Sequence, residues 1–210
     1  MRSCALFRIP GWAIVLLALS ASPSLAHHVM GGKLPSTFFE GFLSGLGHPI
    51  IGLDHLAFLV ALSMAAALLN GPFVIVATFI VMSIAGVMIH LAQMDIPLVE
   101  PLIALTVLLA GLALVWRHSV AGAVWFALAA VAGLLHGYAF GESIVGAERA
   151  ALGAYLLGIA VVMAAIAITV VQLTRRILRP DGLTSPHLHV AGLVIGCIGA
   201  VLLAGTVFFD

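Results

Sequence analysis

Charge is what this chain has least of. Only 8% of its 210 residues are Asp, Glu, Lys or Arg, while 63% are hydrophobic; a soluble domain carries about 25% charged residues. The mean hydropathy is +1.27. A soluble globule of this size leaves much of its surface in water, so it could not hide that much apolar side chain, and lipid must cover the rest. Eight basic and eight acidic residues cancel to a formal net charge of zero, which removes the basic face that a nucleic acid partner requires. Cysteine is nearly absent. Cys4 and Cys197 lie far apart, so no disulfide framework follows. There is no P-loop, no nucleotide-binding Gly-rich turn and no His-Glu-x-x-His pattern. No nucleophile stands beside a base in the sequence, and the expectation is therefore a protein that is not an enzyme.

What remains is apolar run after apolar run. Arg2 and Arg8 precede a short apolar stretch from Trp12 to Leu19, and Ser24-Leu25-Ala26 forms a small-x-small site. This is the pattern of a cleaved export signal over 1–26, with His27-His28 as the new N-terminus outside the cytoplasm. Six candidate spans follow within a single domain over 27–210, at 50–69, 72–93, 98–116, 120–141, 149–174 and 188–208, each near the ~20 residues that cross a bilayer core. The stretch Pro35 to Gly47 reads as an interfacial helix carrying Glu40. The expected fold class is all-α, a polytopic protein of the inner (plasma) membrane. Arg117, Arg175, Arg176 and Arg179 fall in loops on one side, and Asp95, Glu100, Glu142, Glu148 and Arg149 on the other. The first side is cytoplasmic by the bias of Lys and Arg, in agreement with the exported N-terminus.

Small residues recur at four-residue spacing. Gly133, Gly137 and Gly141 form one stripe; Gly192, Gly196, Ala200 and Ala204 form another. Both predict close helix packing.

Against this background the ionisable residues stand out, because those that persist in apolar spans are expensive and mark function. His48-Pro49-Ile50-Ile51-Gly52-Leu53-Asp54-His55 heads the first span, His90 ends the second, and His136 and Glu142 lie near the end of the fourth. With alternating spans, all of these reach the outer leaflet. His48 before Pro49 reads as a cap, placing His48, Gly52 and His55 near one helical face, with Asp54 turned about 100° away as a partner that orients an imidazole. Imidazole and carboxylate suit nickel, cobalt, zinc or copper(II), and Met30 near the outer surface keeps copper(I) in view. His27 and His28 would form a capturing arm for the ion, and His187 and His189 an exit relay on the cytoplasmic side. Ser63, Ser83, Thr106 and Thr169 are the main polar residues of the inner half, which gives no continuous polar path.

Two motifs carry a family resemblance over the whole chain: His-Pro-x-x-Gly-x-Asp-His (His48, Pro49, Gly52, Asp54, His55) and His-Gly-x-x-x-Gly-Glu (His136, Gly137, Gly141, Glu142). The chain resembles the HupE/UreJ proteins, regarded as nickel or cobalt permeases and accessory proteins. The resemblance implies import of a divalent metal linked to maturation proteins of nickel enzymes, with His48, Asp54, His55, His136 and Glu142 handling the metal. Many members carry His-Gly-His-Ala-His-Gly in the second motif, where this chain has Tyr138 and Phe140. The larger nickel/cobalt transporter family spaces His-x4-Asp-His, whereas five residues separate His48 from Asp54 here. Two other readings stand beside the permease. One is an accessory protein that stores, senses or delivers metal without transport. The other is a haem protein using His55 or His90 with His136.

Overall fold

The computed structural model describes residues 33–69, 72–116, 121–177 and 186–208. The export signal over 1–26, His27, His28, Met30, Arg117 and Arg179 lie outside the described residues. Every regular element among those described is a helix: α1 Phe38–Ile51, α2 Leu53–Leu68, α3 Pro72–Leu91, α4 Val99–Val115, α5 Gly122–Glu142, α6 Arg149–Ile177 and α7 Pro186–Phe208. By length and composition α3, α5, α6 and α7 can each cross a membrane, and α1 with α2 forms a pair bent by 75° that passes as a fifth. The sequence reading of six spans finds a helix at each position. However, α2 has 16 residues and α4 has 17, short of the length of the other four.

Three helix pairs surround a central helix. α1 packs on α6, α3 on α5 and α4 on α7, while α2 touches each of the other six. The sequence explains that place: α2 is apolar on every side, with Phe58, Leu59, Leu62 and five alanines buried, and a helix without a polar face belongs inside. The outer pairs are made by glycine. A Cβ on Gly137 would strike the backbone of Ser83, and one on Gly86 the carbonyl oxygen of Leu134, closing α3 against α5. A Cβ on Gly111 would lie 2.5 Å from the Gly196 Cα, and one on Gly199 would lie 2.7 Å from the Leu108 Cα, closing α4 against α7. The stripe of Gly133, Gly137 and Gly141 is thus a packing stripe; of the second, Gly192 and Gly196 face α4, but Ala200 and Ala204 are exposed and the contact continues through Gly199 instead.

The expected interfacial helix is different. α1 opens with a capping box in which the Thr37 hydroxyl accepts from the Glu40 N–H at 3.2 Å, and the Glu40 carboxylate accepts from the Thr37 N–H at 3.2 Å. It then packs one face along α6 and leaves Phe38, Phe39 and Leu43 exposed. A Cβ on Gly41 or Gly45 would meet the carbonyl oxygens of Ala151 and Tyr155, and one on Gly158 would meet that of Phe42. Glycines at 41 and 45 form a third small-residue stripe, which is why this segment joins the bundle.

The chain breaks at Gly52, not at His48. Pro49 sits inside the last turn of α1, and the helix ends where Gly52 turns extended at φ −70°, ψ 107°. Gly52 is buried while Ile50 and Ile51 before it are exposed, and the backbone of the break is satisfied. The Gly52 N–H donates to the His48 carbonyl at 3.2 Å, and the Leu56 N–H donates to the Gly52 carbonyl at 2.9 Å.

Candidate functional site

His48 stands in the last turn of α1 and His55 in the first turn of α2, so the break at Gly52 puts them on different helices. They do not share one helical face as the sequence suggested. Their rings still meet, with centroids 5.8 Å apart. Gly52 is glycine because the His55 ring lies over it: a Cβ there would come within 2.5 Å of the imidazole Cδ2. Asp54 remains a neighbour of His55. Its Oδ1 accepts from the His55 backbone N–H at 2.8 Å and lies 3.8 Å from the ring Nδ1. Its acidic side chain also suits the positive end of the α2 dipole.

His136, on α5, completes a buried trio. Its Nδ1 is 2.8 Å from the His55 Nδ1, and its Nε2 is 2.9 Å from the Thr106 hydroxyl on α4. The Thr106 proton goes to the Ile103 carbonyl at 2.7 Å. On the other side of the trio, the His48 Nδ1 lies 2.9 Å from the Tyr155 hydroxyl and 3.0 Å from that of Ser143. Tyr155 and Ser143 both donate to the Phe140 carbonyl, at 2.7 and 3.3 Å. That carbonyl lies in the last turn of α5, where carbonyls have no helical partner.

Phe140 fills the space between the imidazoles, its ring centroid 5.1 Å from that of His48 and 4.5 Å from that of His55. On the other face of the trio, Phe58 and Phe79 lie 5.0 and 5.8 Å from the His136 ring. Both are buried, and they form an apolar floor toward the far end of the bundle. That far end is marked by Arg175, whose Nε donates at 3.1 Å to the Ala67 carbonyl near the C-terminus of α2. Asp95, Glu100, Glu142 and Glu148 are exposed at the end nearer the site. Thr106 is seven residues into α4 and His136 six residues from the end of α5, so the trio lies about 10 Å below that end at ~1.5 Å per residue.

Several expected site residues are placed elsewhere. Glu142 is exposed at the last position of α5. Six residues turn an α-helix through about 240° relative to His136, so it shares the end of the bundle but not the face. His90 packs its ring on Tyr138 at 4.4 Å, with its Nδ1 buried and without a hydrogen-bond partner among the described residues. His187 and His189 open α7, the first of them exposed. Among the described residues no group of three or more His, Cys, Asp and Glu side chains is arranged to hold a metal ion. The reason is visible at His136, both of whose nitrogens are engaged.

Thr106, Ser143 and Tyr155 are the polar residues that sequence reasoning missed at this place. Thr106 was assigned to the inner half, and the fold puts it beside His136. Ser143 supplies a hydroxyl next to an imidazole that no sequence spacing announces. Ser63, Ser83 and Thr169 instead donate to carbonyls of their own helices, at 2.6, 2.8 and 2.8 Å.

Comparison with known proteins agrees with the two motifs. Residues 15–202 match the family model described as HupE / UreJ protein. The chain is 31% identical over 193 residues to Protein HupE of Rhizobium leguminosarum bv. viciae, a match covering 90% of this chain and 92% of that protein. No solved structure matches it. With a family model covering most of its length and a relative aligned nearly end to end, this membrane protein belongs to the HupE/UreJ family.

Proposed function

We propose that the protein carries a divalent transition metal, nickel or cobalt, across the inner membrane into the cell, through the buried imidazoles at the break between α1 and α2. The observation that carries this reading is the meeting of His48, His55 and His136 from three helices about 10 Å inside the acidic end of the bundle. Broken helices are a recurrent way to build ion sites at membrane depth, because the free C-terminal end of a half-helix carries partial negative charge. Here α1 ends at the site. In this reading the acidic end faces outward, α2 and α4 cross as short spans beside the four long ones, and the count of crossings is six.

The ion enters past Glu142 and Glu148, with His27 and His28 as a capturing arm, and binds at His48 and His55. Asp54 balances its charge. Few ligands make a weak site, which suits passage better than storage. The Phe58–Phe79 floor must move for release, and the membrane potential assists with ~2.3 kcal/mol per charge per 100 mV. On the inner side the metal passes to maturation proteins of nickel enzymes. The same floor is the observation that favours a second reading, an accessory protein that holds metal without passing it on, with copper or zinc as alternative ions.

The experiment is radiotracer nickel and cobalt uptake by cells expressing the wild type, His48→Ala, His55→Ala or His90→Ala at equal levels. Loss of uptake in the first two variants, with uptake largely kept in the third, supports the reading. Uptake equal to wild type in His55→Ala removes it.

A further inference from the structure

A metal binds an imidazole nitrogen that carries a lone pair, so the position of the ring proton decides which nitrogen can serve. Hydrogen-bond partners fix that position here. Thr106 has one hydroxyl proton, and it is committed to the Ile103 carbonyl at 2.7 Å. Toward the His136 Nε2, 2.9 Å away, the Thr106 oxygen can therefore only accept. His136 then carries its proton on Nε2, and its Nδ1 holds the lone pair. At 2.8 Å from that lone pair, the His55 Nδ1 must be the donor. A second observation points the same way: the Asp54 Oδ1 lies 3.8 Å from the same nitrogen, where a carboxylate favours N–H over a lone pair.

We propose that Thr106 is a positioning residue, acting through His136 to hold His55 as the Nδ1–H tautomer so that its buried Nε2 is the nitrogen that meets the metal. His136 is then a bridge rather than a ligand, since both its nitrogens are spent on Thr106 and His55. The inference rests on the proposed metal passage for its purpose. Its geometry, however, is tested without any metal.

His48 provides an internal reference. Tyr155 spends its proton on the Phe140 carbonyl at 2.7 Å and accepts from the His48 Nδ1 at 2.9 Å. His48 is therefore also an Nδ1–H tautomer with its Nε2 buried, but it is set by α5 and α6, not by Thr106. The two imidazoles thus present the same nitrogen for independent reasons.

The test is ring-¹⁵N histidine NMR of the full chain in liposomes, free of metal, with signals assigned through His48→Ala, His55→Ala and His136→Ala. The expected wild-type pattern has the proton on Nδ1 in His48 and His55 and on Nε2 in His136. Thr106→Val removes the acceptor, so His136 should move its proton to Nδ1 and donate to His55. The His55 proton then moves to Nε2, while His48 stays as it was. Thr106→Ser should restore the wild-type pattern. Nickel binding by the same samples should weaken by about 10- to 100-fold in Thr106→Val, the usual effect of losing a partner that orients a liganding imidazole, and recover in Thr106→Ser. A wild-type His55 protonated on Nε2 overturns the inference, as does a Thr106→Val spectrum that leaves His55 unchanged. Unaltered nickel affinity in Thr106→Val overturns the positioning role. If the tautomers follow this pattern but the wild type neither binds nor carries nickel or cobalt, the failure belongs to the proposed function.

Discussion

Gly137→Ala places one methyl group where α5 meets α3. The new Cβ would sit 2.5 Å from the Cα and 2.6 Å from the carbonyl carbon of Ser83, and carbon atoms in contact prefer about 3.5–4.0 Å. Both neighbours are backbone, so no side chain can swing away; the helices must part by roughly 1 Å. Alanine itself improves a helix by about 1 kcal/mol over glycine, while overpacking a tight interface costs about 1–3 kcal/mol. Gly153→Ala on α6 is the matched control, because a Cβ there meets nothing within 4 Å. It keeps the helical gain without the clash. The helical gain is common to both, so thermal unfolding of the two purified variants in detergent should differ by the clash alone, about 1–3 kcal/mol, or roughly 2–12 °C in Tm for a chain of this size. The parting also moves His136, the neighbour of Gly137, away from His55 and Thr106, so metal uptake should fall in Gly137→Ala and persist in Gly153→Ala. Equal Tm values for the two variants would refute the account of α3–α5 packing.

Other outcomes follow from the same geometry. In Gly52→Ala the new Cβ displaces the His55 ring rather than backbone, so nickel binding should drop more than tenfold with little change in Tm; a titration paired with unfolding separates the two. Phe140→His brings a third imidazole between His48 and His55, and equilibrium dialysis should show tighter nickel binding while uptake slows, because release becomes harder. Phe58→Ala opens the floor below His136, and liposomes bearing it should leak nickel faster than those with wild type. Glu142→Gln removes an exposed charge. Uptake should then fall less than tenfold, with the difference vanishing at high salt as the charge is screened.

The meeting of His48, His55 and His136 was legible in the sequence because depth is encoded there: alternating spans bring the start of one helix level with the end of another. The small-residue stripes were legible for a similar reason, since period-four glycine needs a neighbouring backbone. Gly41 and Gly45 carried the same signal, but read as a segment leading into the first span, Pro35 to Gly47 did not show that its glycines meet α6. The break was misplaced because Pro49 is the usual helix breaker, whereas the actual constraint is the His55 ring lying over Gly52, a contact between residues that sequence pattern does not weigh. Glu142 was grouped with His136 by proximity in the chain, although helical rotation turns it away. Thr106 was visible as a polar residue but not as a partner of His136, and Ser143 and Tyr155 gave no signal, because a hydroxyl at a helix end or in an apolar helix looks like any packing residue until its partner is seen.

The central claim is passage of metal by this chain itself, and reconstitution tests it most directly. Purified protein in sealed liposomes, with an imposed inside-negative potential and radiolabelled nickel or cobalt outside, isolates flux from every other cellular component. The account predicts time-dependent accumulation that collapses when the potential is dissipated and is lost in His48→Ala and His55→Ala. Stoichiometric binding without accumulation, at any potential, would contradict it and leave the protein as a holder of metal.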